Sequence, residues 1–161
     1  MISMVRVDNR LIHGQVIEAW LPRIRANRVV VADDDASHNP LVRAAMALAV
    51  PKRVEVQIEP LLSIDYADLT ANQSQTLLLI RDVAGVISAW NQGLRPTKIN
   101  LGNIHYGPGR RKVSPSVYLA KEELEQLKIL ADHGVEVEAR AVPTDPPLDY
   151  ARMVERFGKG S

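Results

Sequence analysis

The chain contains no cysteine, which excludes disulfides, thiolate metal sites and cysteine nucleophiles together. It also has no charge excess. The formal net charge is +1, so there is no electrostatic case for binding nucleic acid or an anionic membrane. No apolar run approaches membrane-spanning length, and no basic segment followed by a long apolar core stands at the N-terminus. Cytoplasmic residence is the simplest expectation. Walker, Rossmann and serine-centred elbow sequences are missing as well, which ranks a nucleotide-binding or hydrolytic α/β domain low. No cofactor is expected, and no metal. Asp33-Asp34-Asp35 matches no calcium-loop spacing and reads as a capping segment.

What is there is ordinary in composition. Residues are 46% hydrophobic and 24% charged over 161 positions, as for one soluble domain spanning 1–161 with a sizeable core. Strand-like and helix-like segments alternate, which predicts an α/β fold: an open, mostly parallel β-sheet with helices on both faces. Val29–Val31 and Leu77–Ile80 are continuous apolar runs and are expected as central strands. Val54–Ile58 and Val135–Ala139 alternate, as half-exposed strands near an edge do. Helices are predicted over Gln15–Ala26, shortened or kinked by Pro22, and after Asn39-Pro40, with Leu41, Ala45 and Leu48 inward. Others follow Asp82, run over Glu122–His133 with Leu124, Leu127 and Ala131 inward, and span Leu148–Phe157.

The densest chemistry lies in the turn between the first strand and the first helix: Val7-Asp8-Asn9-Arg10-Leu11-Ile12-His13-Gly14-Gln15. In an open α/β sheet this turn sits at the carboxyl edge, where ligands bind. Free N–H groups at the start of a helix suit a phosphate. His13 as a neutral imidazole is a candidate nucleophile; by residue type alone, a loop histidine capping a backbone group is the commoner outcome. Arg10 can fold back within the turn, and its forked guanidinium suits phosphate oxygens better than a lysine would. Asp8 either orients Arg10 or His13 or is a turn residue. Asn9 is a turn former with a secondary contact, and Gly14 and Gln15 begin the helix. A second wall is expected from Gly102 and Asn103, at the start of the glycine-rich stretch to Lys112. That stretch is either a flap or docking face carrying Arg110–Lys112, or a solvated hairpin-like loop. His105 is a rival nucleophile that no motif supports. His38 and His133 read as an exposed loop residue and a helix-end residue, and Arg23, Arg25 and Arg28 as a surface face.

Arg6 to Val16 resembles the active-site motif of the mannose/sorbose-type IIB subunits of the bacterial sugar phosphotransferase system. The similarity extends to Val30–Ala36, Asn100–His105 and Val142–Pro146. The resemblance implies a phosphohistidine carrier in which His13 receives a phosphoryl group through Nδ1 and Arg10 clamps the phosphate. The implied donor is a phosphorylated IIA domain, and the implied acceptor a hexose held by the membrane subunits IIC and IID. No IIA-like sequence is fused to the chain, so both are expected to be separate proteins, with peripheral association at the membrane subunits. A regulatory module that keeps the motif without feeding a transporter is the alternative. Sugar identity and homo-oligomerisation are left open.

Overall fold

The computed structural model describes residues 1–160; Ser161, the last residue of the expected domain, lies outside them. Seven strands form the main sheet in the order β3-β2-β4-β1-β5-β8-β9. They are β1 (Ile2–Asp8), β2 (Arg28–Ala32), β3 (Glu55–Glu59), β4 (Thr76–Ile80), β5 (Lys98–Asn103), β8 (Glu136–Ala139) and β9 (Leu148–Asp149). All neighbouring pairs are parallel except β8 and β9. β6 (Arg110–Ser114) and β7 (Val117–Ala120) make a separate antiparallel hairpin.

The continuous apolar runs exist because both faces of the sheet are covered. Val29, Val31, Leu77 and Leu79 pack into one core, with Leu11, Val16 and Leu21 from the segment after β1. Val30, Ala32, Leu78 and Ile80 point into the opposite core. That core includes Val83 and Val86 of α5 (Val83–Asn91) and Leu124, Leu127 and Leu130 of α6 (Lys121–Asp132). β2 and β4 are interior as expected, yet the centre is β1, bonded to β4 on one side and β5 on the other. The motif is therefore carried by the middle strand of the seven.

Five local expectations need correction. The helix after β1 is not one α-helix from Gln15 to Ala26. It runs as a π-helical turn, Val16–Trp20, followed by α1 (Leu21–Ile24). The wider turn places Pro22 at the start of a fresh helical turn, where its missing N–H costs little. The helix capped by Asn39, α3 (Pro40–Ala49), buries none of its residues; Val42 and Met46 pack against the core while Leu41 and Leu48 are exposed. Ala131 does not face inward in α6; Leu130 does. Leu148–Asp149 is a strand, and the last helix, α7 (Tyr150–Lys159), begins after it with Asp149 as cap. Arg28 also leaves the supposed surface face: it is half-buried and bonds Gln57, while Arg23 and Arg25 are exposed. The remaining helices, α2 (Asp34–His38) and α4 (Tyr66–Ala71), are short. No helix among the described residues is long and apolar enough to cross a membrane.

Candidate functional site

The carboxyl ends of β1, β2, β4 and β5 meet at one edge of the sheet, and the site is assembled there around Asp8. Alternation along β1 sends Val5 and Val7 into one core and puts Arg6 and Asp8 on the opposite face. Both polar residues are fully buried. Asp8 Oδ2 accepts from His13 Nε2 at 2.8 Å, from Asn103 Nδ2 at 2.9 Å and from Arg6 Nη2 at 3.2 Å. Its other oxygen accepts the Arg10 backbone N–H at 3.0 Å.

Burial alone would push the Asp8 carboxyl up. The hydrogen bonds from His13, Asn103 and the Arg10 amide, with the charge of Arg6, outweigh it and hold the carboxyl below its ordinary range. The ionised carboxylate is acceptor-only, so His13 Nε2 must carry the proton. Nδ1 is then left with its lone pair, and the ring makes no other hydrogen bond among the described residues.

A depressed pKa has a consequence for stability. Asp8 contributes fully above the ordinary carboxyl value of 3.8 and loses that contribution as pH falls through its lower folded value. Urea midpoints of the chain and of Asp8→Asn should therefore differ at about pH 6 and converge below about pH 4. A gap unchanged at about pH 2.5 would show that folding does not lower the Asp8 pKa.

The loop between Asp8 and His13 is tightly set. Leu11 N–H bonds Asp8 O at 3.0 Å, and Leu11 itself sits at φ 57°, in the left-handed region, with its side chain buried. A buried leucine holds a conformation that its Cβ disfavours, because Leu11 and Ile12 anchor the loop in the core. Asn9 donates its N–H to Asn103 O at 3.1 Å. Beyond His13, Ile17 N–H is the first to bond back, to His13 O at 3.2 Å. The N–H groups of Gly14, Gln15 and Val16 have no acceptor among the described residues, the arrangement expected of a phosphate seat.

The structure brings together Asp8, Asn9, Arg10, His13, Gly14, Gln15, Gly102 and Asn103, but divides their work. Asn103 and Gln15 are framework: Gln15 Oε1 accepts from Asn103 Nδ2 at 3.1 Å and from Arg6 Nη2 at 3.3 Å. Arg10 does not bond Asp8 through its side chain; the nearest approach is 3.9 Å, and the guanidinium is 45% exposed. It is thus free to meet an incoming anion. Gly14 is exposed, and a Cβ there would touch nothing, so space does not require glycine. Gly102 is not a loop residue. It lies within β5, where a Cβ would fall on the guanidinium of Arg6. The Arg110–Lys112 run opens the hairpin instead of a free flap. Arg110 is tied to Glu123 at 2.9 and 3.1 Å, and to His105 O.

Two residues of the site escaped the sequence reading. Arg6 fills the space under Gly102 and also donates to Asn100 Oδ1 at 2.8 Å and Arg140 O at 3.3 Å. The available signal was a cation inside the apolar run of a strand, two residues before Asp8 and hence on its face. Arg81, just past β4, donates to both Asp33 oxygens at 2.9 and 2.8 Å and to Asn9 O at 3.2 Å. It ties the Asp33 cap of α2 to the His13 loop. Asp34 instead accepts from Leu61 N–H at 2.8 Å, so the acidic run diverges. Nothing local marks Arg81, because its partners come from other strands.

The chain is similar to known proteins along nearly its whole length. The family described as the PTS system sorbose subfamily IIB component matches residues 2–160. The N-acetylgalactosamine-specific phosphotransferase enzyme IIB component 2 of Escherichia coli (strain K12) is 29% identical over 154 residues, covering 95% of this chain and 98% of that one. The PTS system mannose-specific EIIAB component of the same strain is 26% identical over 161 residues, covering 98% of this chain and 50% of that protein. The crystal structure of the N-acetylgalactosamine-specific IIB component 1 from Escherichia coli superposes with a TM-score of 0.83 at 26% identity, over 91% of this chain and 97% of that one. With a matched segment that runs from the first residue of β1 past the end of α7, the chain belongs to the sorbose subfamily of phosphotransferase-system IIB components.

Proposed function

We propose that the chain carries a phosphoryl group on Nδ1 of His13, between a protein donor and a sugar. The observation that carries this reading is the 2.8 Å bond from His13 Nε2 to Asp8, which presents Nδ1 as the free nucleophile. In the first step the Nδ1 lone pair attacks the donor's phosphorus. A new N–P bond forms, the old one breaks, and the donor imidazole leaves with its electron pair. The ring of His13, still protonated at Nε2, becomes cationic and is stabilised by the Asp8 carboxylate. A cationic ring is also a good leaving group for the second step. There a sugar hydroxyl attacks phosphorus and releases its proton to solvent, the N–P bond breaks with its electron pair returning to Nδ1, and neutral His13 is restored. The free N–H groups of Gly14, Gln15 and Val16, with the exposed Arg10 guanidinium, would hold the phosphoryl oxygens.

This makes the chain a phosphohistidine–sugar phosphotransferase component that needs no cofactor. The EIIAB name of the mannose-specific relative, of which this chain spans 50%, supports a phosphorylated IIA domain as donor. The acceptor is a hexose held by IIC and IID membrane subunits, with the chain in the cytoplasm docking at them. Relatives named for different sugars leave the hexose itself open. The test is incubation with a phosphorylated IIA domain followed by mass spectrometry of peptides kept alkaline. One acid-labile phosphoryl group on His13 is expected; modification of His105 instead would overturn the reading.

A further inference from the structure

We propose that the recess between the β6–β7 turn and α7 binds a small phosphate-bearing anion, at a second site apart from His13. The recess has a volume of about 370 Å³ and is lined by Arg140, Arg152 and Arg156, with Asp145 as the one acidic residue in its wall. The three arginines come from two segments: Arg140 follows β8, and Arg152 and Arg156 stand one turn apart on α7. The hydrogen bonds of their side chains go to carbonyls alone. Arg140 donates to Asp145 O at 2.8 Å and to Pro143 O, and Arg156 donates to Val113 O at 3.5 Å. No carboxylate pairs with any of them among the described residues. In a chain whose net charge is only +1, three unpaired guanidiniums around one concavity leave a local surplus of positive charge.

A second observation points the same way. The Ser114 hydroxyl oxygen is buried without a hydrogen-bond partner, and Ser114 lines the recess. A buried hydroxyl lacking a partner costs free energy that a ligand oxygen would recover. Pro115, Pro146 and Pro147 also form the wall, so the shape is set before a ligand arrives. Three arginines against one aspartate leave a formal +2, which matches the charge of about −2 on a phosphomonoester. Forked guanidiniums suit its oxygens. The volume lies near the lower end of ligand sites, roughly 300–1,000 Å³. A concavity of that size fits a sugar-phosphate-sized molecule better than the convex acidic surface of a protein. The site also borders the network under His13: Arg140 O accepts from Arg6 and Asn100, and Ala141 O accepts the Trp20 indole N–H at 2.8 Å.

The experiment titrates the folded chain with inorganic phosphate and with glucose 6-phosphate, each against chloride at matched ionic strength, and follows backbone amides by NMR. Saturable shifts at Ser114, Ser116, Arg140 and Arg152 are expected, unchanged in His13→Ala and weakened about tenfold or more in folded Arg152→Ala/Arg156→Ala. Tighter binding of glucose 6-phosphate identifies a phosphomonoester as the ligand class, and equal binding identifies free phosphate. Shifts confined to Gly14–Val16, shifts that chloride reproduces, or a response to an acidic protein alone would each overturn the proposal. Because the His13→Ala arm measures binding without transfer, this outcome is independent of the carrier reading.

Discussion

A folded His13→Ala variant is expected to accept no phosphoryl group from a IIA donor that charges the unaltered chain. The loss should be complete because none of the other three histidines shares the required setting. His38 Nδ1 lies 2.8 Å from Asp34 O, and His133 Nδ1 lies 2.7 Å from Ile129 O. A carbonyl only accepts, so those Nδ1 atoms are protonated donors with no lone pair to offer. His105 is exposed beyond β5, and no carboxylate among the described residues fixes its tautomer, so His105→Ala should retain acceptance. The fold should survive the His13 change, since the ring is 15% exposed and packs in neither core. Arg10→Lys should slow transfer by roughly ten- to a hundredfold, because a point charge replaces two fixed charge-assisted donors. Acceptance measured with labelled donor, beside a circular dichroism spectrum, decides the matter. Phosphorylation that persists in folded His13→Ala sinks the assignment.

Arg6→Met should be the most damaging single change to stability, at about 3–5 kcal/mol, because it leaves Asp8 charged and buried without its cation. Arg6 and Asp8 are both fully buried and 3.2 Å apart. Burial pulls the Arg6 guanidinium below its ordinary pKa, while Asp8 opposes that shift, so each ion depends on the other to remain charged. Removing both charges should therefore hurt less than removing one: Arg6→Met/Asp8→Asn is expected to unfold at higher urea than Arg6→Met alone. Gly102→Ala should reproduce much of the Arg6 defect, since its Cβ would occupy the place of the guanidinium. Urea titrations of the four chains test this. A loss below about 1 kcal/mol for Arg6→Met would mean that water reaches Asp8 and screens it.

The sequence by itself determined the alternation of strands and helices, and with it the parallel sheet. Apolar runs such as Leu77–Ile80 are costly anywhere except between two covered faces. It also determined which turn bears the chemistry, because Asp8, Arg10 and His13 fall within a few residues of one another between a strand and a helix. Local rules reached that far. Only the tertiary structure decided what holds the turn in place. Arg6, Asn100 and Glu138 stand side by side on β1, β5 and β8 in strand register, and all three are buried. In sequence Glu138 is just an alternating residue of a half-exposed strand. Its burial, 3.1 Å from Lys98, depends on β5 and β9 flanking β8 in the sheet. The same holds for Arg81, whose bonds to Asp33 and Asn9 join segments that are distant in the chain. Propensity and periodicity act over a few residues, whereas the partners of a buried charge are chosen by the order of the strands.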